Sequence, residues 1–450
     1  MSVHQKLIIF GSFNAERFWR NPLHATMPSF NDDQANTIVE AMDEMQFVFS
    51  KAANSLVITR FAMNHAHLQY LSELGFIFDN IGLINNLSIG QDITIKKSAT
   101  VALLEKLQDD KRFAFLKKEP VKLDPYAIVP EYLNLTELLD TQTFSPAAEA
   151  VKKVNSKVFS TDISAEIRKG SGGCIVNSAE ELQQQAEIML KNAAVIIKDP
   201  FGVSGNGNIL IKKELSLRSV VKHLLNQEQS GKIIQFVLEP YLDKQTDFSC
   251  QAVIDQSGNC EIISFHIMHN EKFRFSGIER ASESFVREIE LSGYIEYITA
   301  AAKSIFKAGY FGPVCIDSMI LTNGELIPIV EINARKSMGL INHFLFTFIT
   351  EKNKHLKCRM MTLSFLVNYR LSFEEFLDKL RLEGLLYFNG GLSGILPLSA
   401  NTVDINARLI PEGPFKGRLY YHIIYTTITD LDALQEKMYN FCEKSDLKIL

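Results

Sequence analysis

The chain has 450 residues, 46% hydrophobic and 22% charged, which is the composition of an ordinary globular protein. Its 47 Lys and Arg against 52 Asp and Glu give a net charge of −5, and we expect no nucleic-acid partner because phosphate binding needs excess basic residues. The six cysteines include no CxxC pair, which argues against a disulfide framework or zinc knuckle. Without a secretory signal or an apolar run near ~18 residues, we expect a cytoplasmic protein with no membrane partner.

At roughly 150 residues per domain, the length predicts about three compact units. We place an N-terminal α/β domain at 1–140, a central domain at 141–355, and a C-terminal α+β segment at 356–450. The fold class is therefore α/β with α+β character. In chain order the patterns predict a strand at 7–10, a helix at 33–50, a strand at 55–59, a helix from 178 to 191, strands at 195–198, 208–211, 233–238, 248–254 and 261–267, a helix at 284–307, a hairpin at 315–332, a helix at 373–382 and a strand at 418–426.

A glycine-rich loop joins two of these strands. Gly202, Gly205 and Gly207 lie within six positions, and loops of this kind let backbone N–H groups approach a phosphate closely. The loop is not a Walker A motif, because Asn208 stands where that motif needs lysine. The glycines alone fit a plain hairpin turn equally well. Lys198 just before the loop favours phosphate binding, since a lysine there can contact the same phosphates.

Polar residues on the 315–332 hairpin form a second group. Asp317 lies on one strand, and Glu331, Asn333 and Arg335 share one face of the other because side chains alternate along a strand. Carboxylate and amide oxygens suit Mg²⁺, and a guanidinium would neutralise a transferred phosphoryl group. The alternative is a solvated edge strand with a salt bridge.

The order of these elements resembles the ATP-grasp superfamily of carboxylate–amine ligases over about residues 155–350. The elements that carry the resemblance are Lys157, Lys198 with its glycine loop, the segment Val237-Leu238-Glu239-Pro240-Tyr241, Asp317, and Glu331-x-Asn333-x-Arg335. The resemblance implies an N-terminal domain preceding a two-lobed ATP-grasp domain, whose antiparallel sheets enclose ATP, followed by a small C-terminal domain. The two lobes would cover about 155–235 and 236–355. The segment Gly417-Arg418-Leu419-Tyr420-Tyr421-His422 further resembles the end of pheganomycin-type peptide ligases.

The resemblance also implies a role for each matching residue. Lys157, Lys198 and the loop residues Gly202, Ser204, Gly205 and Gly207 would bind the ATP phosphates. The hinge with Glu239, Tyr241 and Leu242 would hold adenine by backbone groups, and Asp247 would make a polar contact with the nucleotide. Two Mg²⁺ ions would be bound by Asp317, Glu331 and Asn333. Arg335 and Lys198 would be catalytic, with Arg335 contacting the phosphate and the acyl phosphate. In this superfamily the basic stretch after His269 lies near the acceptor pocket, so Arg274 and Arg280 are candidates for binding a substrate carboxylate, although a solvated charged loop fits the stretch as well.

The function that the resemblance implies is an ATP-dependent ligase that forms an amide bond through an acyl phosphate, acting on an amino acid or short peptide. Two alternatives remain open from the residues. One is a small-molecule kinase that stops after phosphoryl transfer, and the other is a regulatory module that binds the nucleotide without turnover. Ligases of this superfamily are often homodimers, but no segment of the sequence identifies an interface.

Overall fold

The computed structural model describes residues 5–28, 32–50, 54–91, 97–141, 144–167, 172–202, 207–271 and 274–450, with only the backbone described for Glu271 and Arg274. Within these ranges the elements form three sheets with helices packed around them. In the described residues no helix is both long and apolar enough to span a bilayer.

The first sheet is parallel, with strand order β3-β2-β1-β4. Its β1 carries Ile8, Ile9 and Phe10, all nearly inaccessible, as is typical of a parallel strand covered on both faces. The chain leaves β1 toward β2 on one side, while β4 pairs with the other side of β1. The elements of this N-terminal domain are β1 (Lys6–Phe10), α1 (Glu16–Trp19), α2 (Asp33–Glu40), a 3₁₀ segment (Ala41–Phe49), β2 (Ser55–Phe61), α3 (His65–Leu74), β3 (Asp79–Ile84), α4 (Ala99–Asp109), a second 3₁₀ segment (Lys111–Lys117), β4 (Val121–Pro125) and α5 (Tyr132–Leu138).

Two helices, α6 (Ala148–Val154) and α7 (Lys157–Glu166), lead into a small antiparallel sheet with strand order β5-β8-β6-β7. We call this sheet, together with the helices α8 and α9 that follow β5 and β7, the small lobe. Its elements are β5 (Cys174–Val176), α8 (Ala179–Leu190), β6 (Val195–Lys198), β7 (Asn208–Ile211), α9 (Glu214–Gln229) and β8 (Phe236–Pro240). The predicted strands 195–198 and 208–211 coincide with β6 and β7.

The chain after α1 ties the N-terminal domain to the small lobe. His24 forms a parallel bridge with Ile233, and the Ala25 N–H donates to the Ile233 carbonyl at 2.9 Å. Ala25 and Met27 are then buried in the apolar core of the small lobe. The small lobe is therefore anchored to the N-terminal domain at its outer end as well as through the chain connection.

The third sheet is the largest, with strand order β13-β12-β9-β10-β11-β14-β16-β15 and β17 paired to β14. Its neighbouring strands are antiparallel. We call this sheet the large sheet. Its elements and flanking helices are β9 (Lys244–Ile254), β10 (Cys260–Glu271), β11 (Arg274–Arg280), α10 (Glu283–Leu291), α11 (Tyr294–Lys307), β12 (Gly312–Leu321), β13 (Leu326–Asn333), α12 (Met338–Lys352), β14 (Lys357–Val367), α13 (Phe373–Leu382), β15 (Gly394–Pro397), α14 (Asn401–Leu409), β16 (Phe415–Tyr425), α15 (Ile428–Lys444) and β17 (Lys448–Ile449).

Two features of the large sheet differ from the sequence expectation. The helix predicted at 284–307 is two helices, because Gly293 has a φ of 79° and breaks the helical path between α10 and α11. The strands of residues 356–450 also join the same sheet as β9 to β13. The mixed α/β class with antiparallel central sheets is confirmed, while the domain boundaries near 141 and 356 remain predictions.

Candidate active site

Two carboxylates face each other on the large sheet. Asp317 on β12 and Glu331 on β13 are direct cross-strand partners, and Cys315 and Asn333 form the next pair on that face. The Asn333 amide donates to Asp317 Oδ2 at 3.1 Å. Arg335 in turn donates through Nη2 to Asn333 Oδ1 at 3.1 Å. The hairpin therefore brings together the four residues that the sequence pattern grouped.

The electrostatics of this pair suit a cation. Burial, and after it the neighbouring Glu331, raises the pKa of the Asp317 carboxyl to about 7. Burial opposes ionisation of Glu331 as well. The Lys157 ammonium nevertheless holds the Glu331 pKa below its usual value, through its charge and its hydrogen bond, and Lys198 and Arg335 add to this effect. The Glu331 carboxylate thus faces Asp317, whose ionisation it opposes. A divalent cation would stabilise the negative charge of both.

No group of three His, Cys, Asp or Glu side chains in the described part of the chain forms a ready-made metal cage. The donors available at this position are the two carboxylates of Asp317 and Glu331 and the amide of Asn333. Such a sparse oxygen set suits Mg²⁺, which keeps several waters and completes its shell with substrate phosphates. The residues present therefore fit Mg²⁺ brought in with a nucleotide.

Two lysines lie near the glycine loop, and one of them reaches the acids. Lys157, the first residue of α7, contacts Glu331 Oε1 at 2.9 Å and the Gly202 carbonyl at 2.5 Å. Lys198, at the end of β6, pairs with Glu239 Oε2 on β8 at 2.6 Å, and both side chains are buried. Lys157 therefore links the base of the glycine loop to the acid pair, whereas the Lys198 pair lies within the small lobe.

The base of the glycine loop closes by backbone contacts. The Asp199 N–H donates to the Gly207 carbonyl at 2.9 Å. Gly207 has a φ of 91°, and a Cβ there would lie 3.0 Å from Asp199 Cβ, so this position needs glycine. The predicted loop residues Ser204 and Gly205 lie outside the described residues. Gly202 and Gly207 thus form the two described ends of the loop.

The segment after β8 lies beside an apolar group of the large sheet. The Tyr241 N–H donates to the Ala194 carbonyl at 2.6 Å. Leu242 packs against the cluster formed by Met319, Leu321 and Ile327. Met319 is two residues beyond Asp317 and was not singled out from the sequence. Asp247, directly opposite Met319 on β9, contacts Lys244 and accepts from the Asn270 amide at 2.7 Å.

The N-terminal domain supplies two charged contacts that the sequence reasoning missed. Glu16 accepts from Arg335 Nε at 2.7 Å and pairs with its Nη2 at 2.6 Å. Four residues later, Arg20 pairs with Asp199 at the base of the glycine loop at 2.5 Å. The available signal was their position just after β1, because loops at the carboxyl ends of parallel strands tend to carry ligand contacts.

The predicted acceptor arginines lie farther from the acids. Arg280 ends β11, directly opposite His266 on β10, and its guanidinium lies over the Phe346 ring at 4.9 Å. It is three strands from Asp317, which is about 14 Å at the usual strand spacing of ~4.8 Å. For Arg274 the structure places the backbone at the start of β11. The structure therefore does not bring Arg280 next to Arg335.

Comparisons with known proteins agree with this arrangement. Residues 152–340 match the family described as "Carbamoyl-phosphate synthase L chain, ATP binding domain". A curated relative, "[Butirosin acyl-carrier protein]--L-glutamate ligase" of Niallia circulans, is 24% identical over 359 residues, which cover 78% of this chain and 76% of the relative.

Solved structures share the fold over nearly the whole chain. Biotin carboxylase of Campylobacter jejuni superimposes with a TM-score of 0.55 at 13% identity, covering 100% of this chain and 93% of that one. L-amino acid ligase of Bacillus licheniformis superimposes with a TM-score of 0.53 at 9% identity, covering 100% and 99%. The ordered lysines, acids and arginine, together with the matched ATP-binding domain, make the chain similar to ATP-grasp carboxylate–amine ligases.

Proposed function

We propose that this enzyme uses MgATP to activate the carboxylate of an amino acid or short peptide and joins it to an amine as an amide. The observation that carries the proposal is the acid pair Asp317–Glu331, with Arg335 two residues beyond Asn333 and Lys157 reaching Glu331 from α7. Phosphoryl transfer needs positioned charge more than a protein nucleophile, and these side chains supply charge of both signs.

In the proposed reaction a carboxylate oxygen attacks the γ-phosphorus of ATP, the bond to the β-phosphate oxygen breaks, and ADP leaves. The amine nitrogen then attacks the acyl carbon, the acyl–phosphate C–O bond breaks, and phosphate leaves as the nitrogen loses a proton. Mg²⁺, bound by Asp317, Glu331 and Asn333, would neutralise phosphate charge. Lys157 and Lys198 would bind phosphate oxygens, and Arg335 would contact the acyl phosphate.

The nucleotide base would lie between the segment Glu239 to Leu242 and the apolar cluster around Met319. Leu242 and Met319 offer an apolar surface, and backbone groups of the hinge would give the adenine its hydrogen bonds. The glycine loop would close over the phosphates and exclude water, which the acyl phosphate requires because water would hydrolyse it. Asp247 would contribute a polar contact at the edge of this pocket. The number of Mg²⁺ ions and the pheganomycin-type subgroup remain predictions.

The proposed substrate class is taken from the names of the relatives. The curated relative is a ligase of L-glutamate and an acyl-carrier protein, and one structural neighbour is an L-amino acid ligase. Both names contain an amino acid, which favours an amino-acid carboxylate as the group that this enzyme activates. Arg280 remains a candidate contact for a second carboxylate of a long substrate, since it lies on the same sheet face as the acid pair.

The test is ADP and phosphate release from MgATP with pooled amino acids and dipeptides, followed by mass spectrometry of the products. We expect equal amounts of ADP and phosphate and a new mass equal to acid plus amine minus water. Bicarbonate is tested as a separate acid because biotin carboxylase shares the fold. A phosphorylated product without phosphate release would identify a kinase, and ATP binding without turnover in every pool would favour a nucleotide sensor; either result contradicts the proposal.

A further inference from the structure

Both oxygens of the Asp317 carboxylate accept a hydrogen bond from the protein. The Asn333 amide donates to Oδ2 at 3.1 Å, and the Cys315 thiol donates to Oδ1 at 3.4 Å. Cys315 lies two residues before Asp317 on β12, so the two side chains project from the same face of the strand. The cysteine is only 5% exposed, so bulk water does not compete for this contact.

The Cys315 thiol is in turn held by Gln251, its cross-strand neighbour on β9. The Gln251 amide donates to Cys315 Sγ at 3.2 Å and to Ser249 Oγ at 3.1 Å. Its Oε1 accepts from the hydroxyl of Ser337, the N-cap of α12, at 2.6 Å. The thiol therefore has one neighbour that accepts its hydrogen and another that donates to its sulfur, and together these contacts fix its orientation.

The helix α12 leaves room for the Gln251 side chain at one position. A Cβ at Gly339, in the first turn of the helix, would lie 2.3 Å from Gln251 Nε2 and 2.7 Å from its Cδ. Alanine there would displace the Gln251 carboxamide, although alanine is the more favourable residue in a helix. This glycine is an observation independent of the hydrogen bonds, and it accommodates the side chain that contacts Cys315.

We propose that Cys315 is a positioning residue for the proposed metal ligand Asp317, with Gln251 holding the thiol in place. This inference rests on the MgATP site of the proposed function and deepens it, because it states what orients one Mg²⁺ ligand. Two donors on different oxygens restrict rotation of the carboxylate. Removing such a partner of a metal ligand costs roughly 10- to 100-fold in metal affinity or activity, and a thiol, as a weak donor, belongs at the lower end.

The test measures how strongly Mg²⁺ assists nucleotide binding, without turnover. Isothermal titration calorimetry gives the Kd for AMP-PNP, a non-hydrolysable ATP analogue, once in EDTA and once at saturating Mg²⁺. We call the ratio of the first Kd to the second the Mg²⁺ gain. A residue that orients a metal ligand changes the Mg²⁺ gain and leaves the Kd in EDTA unchanged, whereas general damage to the nucleotide pocket changes the Kd in EDTA as well.

We expect Cys315→Ala to lower the Mg²⁺ gain roughly 10-fold and to keep the Kd in EDTA within ~2-fold of the wild type. Cys315→Ser retains a donor and should keep the gain within ~3-fold of the wild type. The matched control is Cys250→Ala. Cys250 is fully buried on β9 opposite Ile316, so this thiol lies on the other face of the sheet, and its loss should leave the gain unchanged.

A double variant tests the part of Gln251. Gln251→Leu should lower the Mg²⁺ gain roughly 3-fold, since the thiol then loses the donor that fixes it. Because Gln251 acts through Cys315, the double variant Gln251→Leu/Cys315→Ala should have the same gain as Cys315→Ala alone. Additive losses would show that Gln251 does not act through the thiol.

The outcomes separate this inference from the proposed function. If the wild type forms no amide with any substrate pool, the proposed ligase function fails. If Mg²⁺ does not tighten AMP-PNP binding to the wild type, the proposed metal site fails and the inference fails with it. If Mg²⁺ does, the inference is overturned, and the ligase assignment stands, when Cys315→Ala leaves the gain unchanged, when Cys250→Ala lowers it equally, or when Cys315→Ser does not restore it.

Discussion

One row of cross-strand neighbours runs across the face of the large sheet, and its two ends differ. The row consists of Glu331, Asp317, Ser249, His266 and Arg280 on five successive strands. At the β13 end the Lys157 ammonium holds the pKa of Glu331 down despite burial. At His266, which is fully buried, burial lowers the imidazole pKa to about 3, with smaller contributions from His343 and Arg280.

The difference follows from what covers each end. Near His266 the sheet is covered by α12, whose Asn342, Leu345 and Ile349 are buried, and neither ring nitrogen of His266 has a partner in the described part of the chain. Near Glu331, α7 brings Lys157, and α1 brings the Glu16 that pairs with Arg335. Glu331 stays charged because another element supplies the opposite charge of Lys157. His266 stays neutral because the helix packed over it supplies no such partner among the described residues.

The largest expected effect is at the charged end of the row. Glu331→Gln and Asp317→Asn should each lower Mg²⁺-dependent ADP formation by roughly 10³-fold, since they remove charge that would hold the metal and phosphates. Initial rates at saturating MgATP measure this loss, and circular dichroism checks the fold. Glu325→Gln, an exposed residue in the turn of the same hairpin, is the matched control. Turnover near the wild-type level in both site variants would show that the acid pair binds no metal.

The next largest effect is expected at Lys157, which supplies the positive charge beside Glu331. Lys157→Met should raise the KM for ATP roughly 10- to 100-fold, because it removes a phosphate contact of the charge-assisted kind. It should also lower stability by about 3 kcal/mol, since Glu331 loses the partner that stabilises its charge. The double variant Lys157→Met/Glu331→Gln should recover stability without recovering ATP affinity. Equal stability of the single and double variants would mean that Lys157 does not stabilise Glu331.

The sequence predicted the charged end of the row and not the neutral end. Alternation along one hairpin was enough to place Glu331 and Asn333 on one face, and the turn at Asn323-Gly324 sets the pairing with Asp317. The prediction for Lys198 and the glycine loop likewise needed only neighbouring sequence, because that loop joins the paired strands β6 and β7.

The contacts that were missed join segments far apart in the chain. Glu16 and Arg335 are separated by 319 positions, and no local pattern reports which acid meets which base. The neutral end was missed for a related reason, because only the packing of α12 buries His266. Long-range packing therefore decided both the partner of Arg335 and the state of His266.

The boundary between the two ends lies at Gln251. Its Oε1 accepts from the hydroxyl of Ser337, the N-cap of α12, at 2.6 Å, and its amide donates to Ser249 at 3.1 Å. Gln251→Leu should lower the free energy of unfolding by about 2 kcal/mol, because buried hydroxyls lose their partner. Urea unfolding measures the change.

The control for Gln251 lies directly across the strands. Ser264 is the cross-strand partner of Gln251 on β10, and its buried hydroxyl has no partner within the described residues. Ser264→Ala should therefore change stability by less than about 0.5 kcal/mol, since no hydrogen bond is lost. A loss at Ser264 as large as the loss at Gln251 would show that the hydrogen bonds of Gln251 do not decide its effect.

The smallest effect is at His266 and appears only on acidification. With a pKa of about 3 in the folded state and 6.5 when unfolded, this imidazole takes up a proton on unfolding below pH 6.5. The unfolded state then binds more protons, so stability falls as the pH drops from 6.5 toward 3. Between pH 6 and pH 5 the wild type should lose about 1 kcal/mol more than His266→Leu, whereas the two should differ little in pH dependence above pH 7. Urea unfolding at these pH values measures the difference, and parallel losses in the two proteins would mean that His266 is protonated in the folded enzyme and that this end of the row is not neutral.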